Sequence, residues 1–283
     1  LVHPQGSATR RVGTQHIAEV KDSSKKTRLI PFEFSTTQTY ILEFGDQYMR
    51  VYKDKGQVLS GGSAFEISTP YLEAELFDIK FAQSADVLYL CHPNHDVRKL
   101  SRTGHTSWTL ATVSFSGSPS LPISGADNRP SCVSFFEQRL VFANTNNNPQ
   151  TLWFSKSGDY ENFTTGSNAD DAMIYTIASN QVNAIQYLKA VRTLIVGTSG
   201  GEFTVSADGT DASITPTNVT IKRQSSFGSA GVDAIPAGNA VLFLQKAKRK
   251  IRELAYNFDS DGYVAPDLTI LNETVTKTGI NEM

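Results

Sequence analysis

The 283-residue chain carries 26 basic and 28 acidic side chains, a formal net charge of −2, and only 19% charged residues. That balance excludes a global electrostatic pull toward nucleic acid or an anionic membrane surface, so any DNA contact must be local. Two cysteines, Cys91 and Cys132, are too few for a disulfide framework. Both lie in or beside apolar runs, where free thiols pack as small hydrophobes, which points to a reducing compartment. No run approaches the roughly 18 apolar residues of a membrane span, so no membrane partner is expected. The missing initiator Met raises the expectation of a longer or processed protein.

In chain order, residues 1–13 are small, polar and basic without periodicity, and read as an extended arm. Thr14–Val20 has the look of a strand, and Lys21–Lys26 is a charged loop leading to the strand Arg28–Ser35. Tyr40–Val58 then spells a β-hairpin. Ile41, Leu42 and Phe44 precede Gly45-Asp46, and Met49, Val51 and Tyr52 precede a second glycine turn. The hairpin recurs, with first-run anchors Ile41, Leu88, Leu140, Leu194 and Leu242 spaced by about 50 residues. Second runs follow at Tyr48–Tyr52, Val97–Leu100, Thr151–Phe154, Glu202–Val205 and Ile251–Tyr256. A β-rich piece precedes each anchor: Phe32–Phe34, Ile79–Phe81, Val133–Phe136, Ile185–Leu188 and Val232–Ile235.

Three strands per period with room for a fourth predict an all-β fold, a β-propeller of about five blade-like repeats over residues 14–283. A blade cannot bury both faces alone, so the five anchors are expected in the interfaces between blades. Pro70–Phe77 reads as a single helical turn. Ser107–Phe115 reads as an outer strand, and the Ser, Gly and Pro of Ser116–Arg129 as a loop. Lys277–Met283 shows no terminating logic of its own. Thr14–Val20 is predicted to pair with Ile251–Tyr256 and close the ring of blades, the rival being pairing with Arg28–Ser35 and an open array.

Few residues invite chemistry. Gly197–Gly201 spells the hydrolase nucleophile elbow around Ser199, but that elbow needs a helix after the serine, and here a second strand follows. Ser199 is therefore assigned to a hairpin turn. His92, His95 and His105 could offer imidazoles to a metal, but no carboxylate or thiolate completes the set at a recognisable spacing, so no metal is expected. Asp259-Ser260-Asp261-Gly262 begins like a calcium loop, yet its twelfth position is Ile270, and a turn is favoured. Lys246, Lys248, Arg249, Lys250 and Arg252 form the densest basic patch, a solvated tip or a contact for phosphates or a partner. Ser155–Asp159 faintly echoes the structural Asp-box turn of sialidase-type propellers. No catalytic constellation stands out, so neither catalysis nor a cofactor is expected.

Several stretches go beyond generic propeller wording: Gln5-Gly6 with Thr9–Thr14, Ile30–Val58, Asp78–Pro93 and Phe135–Phe163, continuing in Leu242–Tyr263 and Asp267–Leu271. Through them the chain resembles the nozzle protein (tail tubular protein B) of short-tailed bacteriophages, shortened at both ends. The resemblance implies a non-catalytic virion tail component made in the bacterial cytoplasm. Its protomers form a homo-oligomeric ring, usually six-fold, around the DNA exit channel, and contact portal adaptor and tail fibre or spike proteins. Such family members are typically much longer, so a shortened or prophage-encoded form is expected. DNA would pass without sequence-specific binding. Two rival classes are a propeller acting as a ligand-binding platform, separated by a deep polar central pocket, and a propeller hydrolase, separated by convergent carboxylates or a metal.

Overall fold

A computed structural model of the protein describes residues 3, 5–117, 123–178, 181–209, 212–259, 261–271 and 273–283. Backbone contacts divide the chain into two compact units, Leu1–Glu73 and Ala74–Met283. Among the described residues, regular structure consists of short antiparallel strands and one 3-10 helix. Among the described residues no helix is long and apolar enough to cross a membrane.

The first unit holds one blade: β1 (Arg28–Ser35), β2 (Gln38–Gly45), β3 (Tyr48–Lys53) and β4 (Gly56–Gln57), hydrogen-bonded in that order. A hairpin, β5 (Leu59–Ser60) and β6 (Ser63–Ala64), leads to β7 (Glu66–Ser68), which also pairs with β3. The β2–β3 turn is the predicted one, with Gln47 at φ 63°. Gly45 is required there, because a Cβ would stand 2.1 Å from the Tyr48 ring. Residues 14–20 form no strand.

The 3-10 helix Glu73–Asp78 begins at the last residue of the first unit and continues into the second, a short helix where one was expected at Pro70–Phe77. Four blades follow. The second blade comprises β8 (Lys80–Ser84), β9 (Val87–His92), β10 (His95–Gly104) and β11 (Ser107–Thr112). The third comprises β12 (Cys132–Phe136), β13 (Arg139–Ala143), β14 (Thr151–Phe154) and β15 (Met173–Thr176). The fourth comprises β16 (Ile185–Ala190), β17 (Leu194–Thr198), β18 (Gly201–Ser206) and β19 (Thr220–Ser225). The fifth comprises β20 (Ile235–Ala237), β21 (Ala240–Leu244), β22 (Ile251–Asn257) and β23 (Gly262–Val264). Every blade is an antiparallel meander, and the architecture is that of a β-propeller.

Strand alternation explains how the blades of the second unit stack. Successive side chains on a strand point to opposite faces. In the third blade Leu140, Phe142 and Trp153 pack with Tyr89, Cys91 and Val97 of the second. The intervening Val141, Leu152 and Phe154 pack with Ile185, Leu194 and Val196 of the fourth. Ile195 and Tyr187 then turn the other face of the fourth blade to Val241, Phe243 and Leu254 of the fifth. The far face of the fifth blade buries Leu244 with Ala230 and Val232, and Ile251, Ile280 and Met283 pack against them. The final residues therefore have a role that the sequence does not reveal. Innermost strands β8, β12 and β16 lie side by side. The Lys80 ammonium on β8 donates to Asp233 (2.7 Å) and to the Gly231 carbonyl (3.0 Å) ahead of β20, tying the unit's first blade to its last. Cys91 and Cys132 are free, buried thiols, as predicted.

Three expectations need correction. Of the five anchors, Leu88, Leu140 and Leu194 are fully buried, but Ile41 is 41% exposed and Leu242 only half-buried. Their neighbours Leu42 and Phe44, and Val241 and Phe243, are buried instead, so the counted repeat slipped by one residue, which moves a side chain to the opposite face. The proposed closing strand is also absent: β22 pairs with β21 and with its own successor β23, and β1 pairs with β2. The fifth blade obtains its fourth strand locally, because the turn before Gly262 reverses the chain, with Asp261 at φ 45°. Finally, the piece Val232–Ile235 is strand only from Ile235 onward.

Leu194→Ala should cost about 2–5 kcal/mol, since the methyl groups removed leave a cavity between two blades. Ile41→Ala should cost under ~1 kcal/mol, because its side chain is partly in water. Urea unfolding of both variants measures the contrast.

Candidate functional site

The second blade's hairpin tip brings together a cluster that spacing alone conceals. His92 ends β9 and His95 starts β10, and the two are register partners with ring centroids 5.1 Å apart. The 3-10 helix, anchored by fully buried Leu76, presents Glu75 to the same tip. Glu75 Oε2 lies 2.8 Å from His95 Nε2, and the Asn94 amide donates to Glu75 Oε1 (3.1 Å). The Asn94 backbone N–H donates to His92 Nδ1 (3.0 Å). Glu75, His92 and His95 each offer a ligand atom within 4.8 Å of the others. Burial holds the His92 pKa below the usual imidazole range. The carboxylate missing from the sequence pattern is thus supplied from 17 residues upstream of His92, at no motif spacing. His105 is not in the cluster, and its carbonyl instead accepts the Trp108 indole N–H at 3.0 Å.

The five-cation patch divides. Lys250 is paired with Asp267 (2.9 Å) and Glu273 (3.2 Å). Arg252 donates to Gln245 and the Ala265 carbonyl, and its guanidinium lies 3.5 Å from the centre of the Phe227 ring. Both hold the fold together. Lys246, Lys248 and Arg249 sit exposed in the β21–β22 turn. That turn is held from below, since Ile280 N–H donates to the Lys248 carbonyl and the Thr276 hydroxyl to that of Arg249. The predicted cationic stripe is therefore a three-residue tip.

Ser199 occupies the two-residue loop of the β17–β18 hairpin, as predicted, between the paired residues Thr198 and Gly201. Beside it, Glu202 is fully buried and accepts hydrogen bonds from the Ser225 and Ser229 hydroxyls, the latter at 2.6 Å. Burial raises its pKa above the usual carboxylate range, against these hydrogen bonds. In the Asp259–Gly262 stretch, Asp261 N–H donates to the Phe258 carbonyl and the Tyr256 hydroxyl donates to Asp261, which makes it the expected turn. Ser260 lies outside the described residues, as do residues 118–122 of the Ser116–Arg129 loop.

Arg139, which no motif flags, is 2% exposed and donates to the carbonyls of Ser155 (2.8 Å), Ala169 (2.6 Å) and Asp171 (2.7 Å). It clamps the loop that holds the Ser155–Asp159 turn onto β13. Its signal was a charged residue opening an otherwise apolar strand.

Two outcomes test these assignments. Because burial raises the Glu202 pKa on folding, its contribution is fully present below the unfolded pKa of about 4.3 and is lost as pH rises through the raised folded value. Glu202→Gln should flatten that fall in stability, measured by urea midpoints between pH 4 and 8. Replacing Lys246, Lys248 and Arg249 with Ala should weaken retention on a polyanion column without lowering the thermal midpoint, whereas Arg252→Ala should lower it.

No protein-family model and no curated protein matches the chain. Solved structures do resemble it. The Cps50 (Swd1) β-propeller domain of Myceliophteria thermophila is 12% identical, with 81% of this chain and 68% of that one covered and a TM-score of 0.46. BamB from Moraxella catarrhalis is 10% identical, with 90% and 64% covered and a TM-score of 0.44. Hsv2p from Kluyveromyces lactis is 11% identical, with 79% and 60% covered and a TM-score of 0.41, so the chain spans less than two thirds of BamB and of Hsv2p.

Proposed function

We propose that the chain is a non-catalytic propeller scaffold of a short-tailed phage tail, contributing to the wall of the DNA exit channel and to the surface on which other tail proteins sit. The observation that carries the reading is the set of stretches resembling nozzle proteins. Ile30–Val58 covers most of β1 and all of β2 to β4, Asp78–Pro93 covers β8 and β9, and Phe135–Phe163 covers β13, β14 and the start of the loop under Arg139. These are the pieces that form blades and fix their loops, which is where a wall-building protein spends its sequence. Supporting it, Glu43, Lys80, Arg139 and Glu202 are all engaged in internal hydrogen bonds or ion pairs. The mechanism is mechanical: packed blades give stiffness, and exposed tips such as Lys246–Arg249 give contacts to neighbours or to passing phosphates.

A second reading, a ligand-binding platform, draws on a groove of about 620 Å³ on the first blade, lined by Leu29, Tyr40, Ile41 and Tyr52 with Glu43 and Lys53, which is not the deep polar central pocket expected of that class. Apolar lining with a few polar groups is the usual dress of a small-molecule site.

Immunogold labelling of tailed particles from the source organism, with antibodies to this chain, decides. Label at the tail, together with portal and adaptor reading frames flanking the gene, is expected. Unlabelled particles and flanking frames of unrelated function would overturn the tail reading, and a ligand recovered from the 620 Å³ groove would then favour the platform.

A further inference from the structure

The scaffold reading leaves the Glu75, His92 and His95 cluster without a task. We propose that these three side chains form a binding site for a divalent transition-metal ion, with zinc as the ion best suited to the donor set. Two imidazoles and one carboxylate, completed by water, are among the ligand combinations zinc accepts.

The donors come from elements that hold them in place. His92 and His95 face each other across the two-residue tip of one hairpin, and Glu75 projects from a helix whose Leu76 is fully buried. Ligands about 2.0–2.2 Å from a tetrahedral ion lie about 3.3–3.6 Å from one another. The three donors already lie within 4.8 Å of one another and have to draw closer to hold an ion. His92 is 2% exposed and gives a dry inner wall, while the His95 and Glu75 side chains are 20% and 15% exposed and leave a way in from solvent.

Around the donors stands a supporting shell. Asn94 donates from its side chain to Glu75 Oε1, an arrangement that orients a metal-bound carboxylate. Its backbone N–H donates to His92 Nδ1, so Nδ1 is the ring nitrogen with the lone pair. An ion taken by Nδ1 displaces that one hydrogen bond, and the ion also replaces the close Glu75–His95 contact of 2.8 Å. Without metal the cluster clasps the hairpin tip to the helix. With metal the clasp becomes a coordination bond, so binding should stiffen the second blade's tip.

The test is independent of the tail assignment. The intact chain, stripped with a chelator, is titrated with zinc by calorimetry and with cobalt(II) by absorption spectroscopy. Expected are about one zinc ion per chain, visible ligand-field bands of a four- or five-coordinate cobalt site, and a zinc-dependent rise in thermal midpoint. Glu75→Gln and His95→Gln, both at partly exposed positions, should each weaken zinc at least ~10-fold while circular dichroism stays unchanged. No saturable zinc binding by the unaltered chain, or binding that survives both substitutions, would overturn the assignment. If a variant fails to fold, the cobalt spectrum of the unaltered chain decides alone, because an octahedral aquo-type spectrum rejects the site.

Discussion

Everything in the second unit depends on one constraint: a four-stranded antiparallel sheet with apolar residues on both faces has to be covered twice. Strands β13, β14, β17 and β18 are buried along nearly their whole lengths, which a sheet with one wet face would not permit. Each blade is therefore stabilised by its neighbours more than by itself, and removing a buried Leu or Phe affects two blades at once. At the fifth blade the covering material changes. A segment containing Ile280 and Met283 replaces a sheet, and its backbone grips the β21–β22 turn. The exposed aliphatic side chains of the first unit, Leu29 and Ile41, illustrate the same rule in reverse, since β1 alternates buried and exposed residues as a strand covered on one face does.

Charges buried in such a stack are costly unless they are fully engaged. Arg139 meets the requirement by donating to backbone carbonyls of one loop. Glu43 does it with the hydroxyls of Tyr48 and Tyr52, both of whose pKa values burial raises, that of Tyr52 to about 12. Lys80 does it by reaching Asp233. Arg139 and Lys80 each fix a connection that has no regular structure of its own, whereas Glu43 ties two strands of one hairpin. A propeller needs such fixings because its strands are short and its loops numerous.

The hairpin tip with Glu75, His92 and His95 follows that pattern with a different chemistry. Its polar groups also join a hairpin tip to a neighbouring element, but imidazole and carboxylate are at the same time metal ligands. The basic tip at Lys246–Arg249 is the opposite case: Lys246, Lys248 and Arg249 stay exposed, while Lys250 and Arg252 are drawn into the fold.

The period of the chain was legible in its residues, because alternation over four to eight positions and Gly or Asn turns are local properties: β2–β3, β9–β10, β13–β14, β17–β18 and β21–β22 all lie where the repeated hairpin predicts. Which face of each strand meets which neighbour was not, and the anchors Ile41 and Leu242 fell one residue out of phase, since Tyr40-Ile41-Leu42 and Val241-Leu242-Phe243 are apolar at consecutive positions and carry no sign of which side chain turns inward. Thr14–Val20 has strand-like composition, yet a strand exists only where a partner's backbone offers hydrogen bonds, and the sequence does not specify that partner. The same holds for the donor cluster. The sequence by itself determined the blade, its turns and the two imidazoles at one tip. Only the tertiary structure decided that Glu75 meets them, that Arg139 is a clamp and that Arg252 lies on Phe227, because those contacts join residues whose separation along the chain follows no rule.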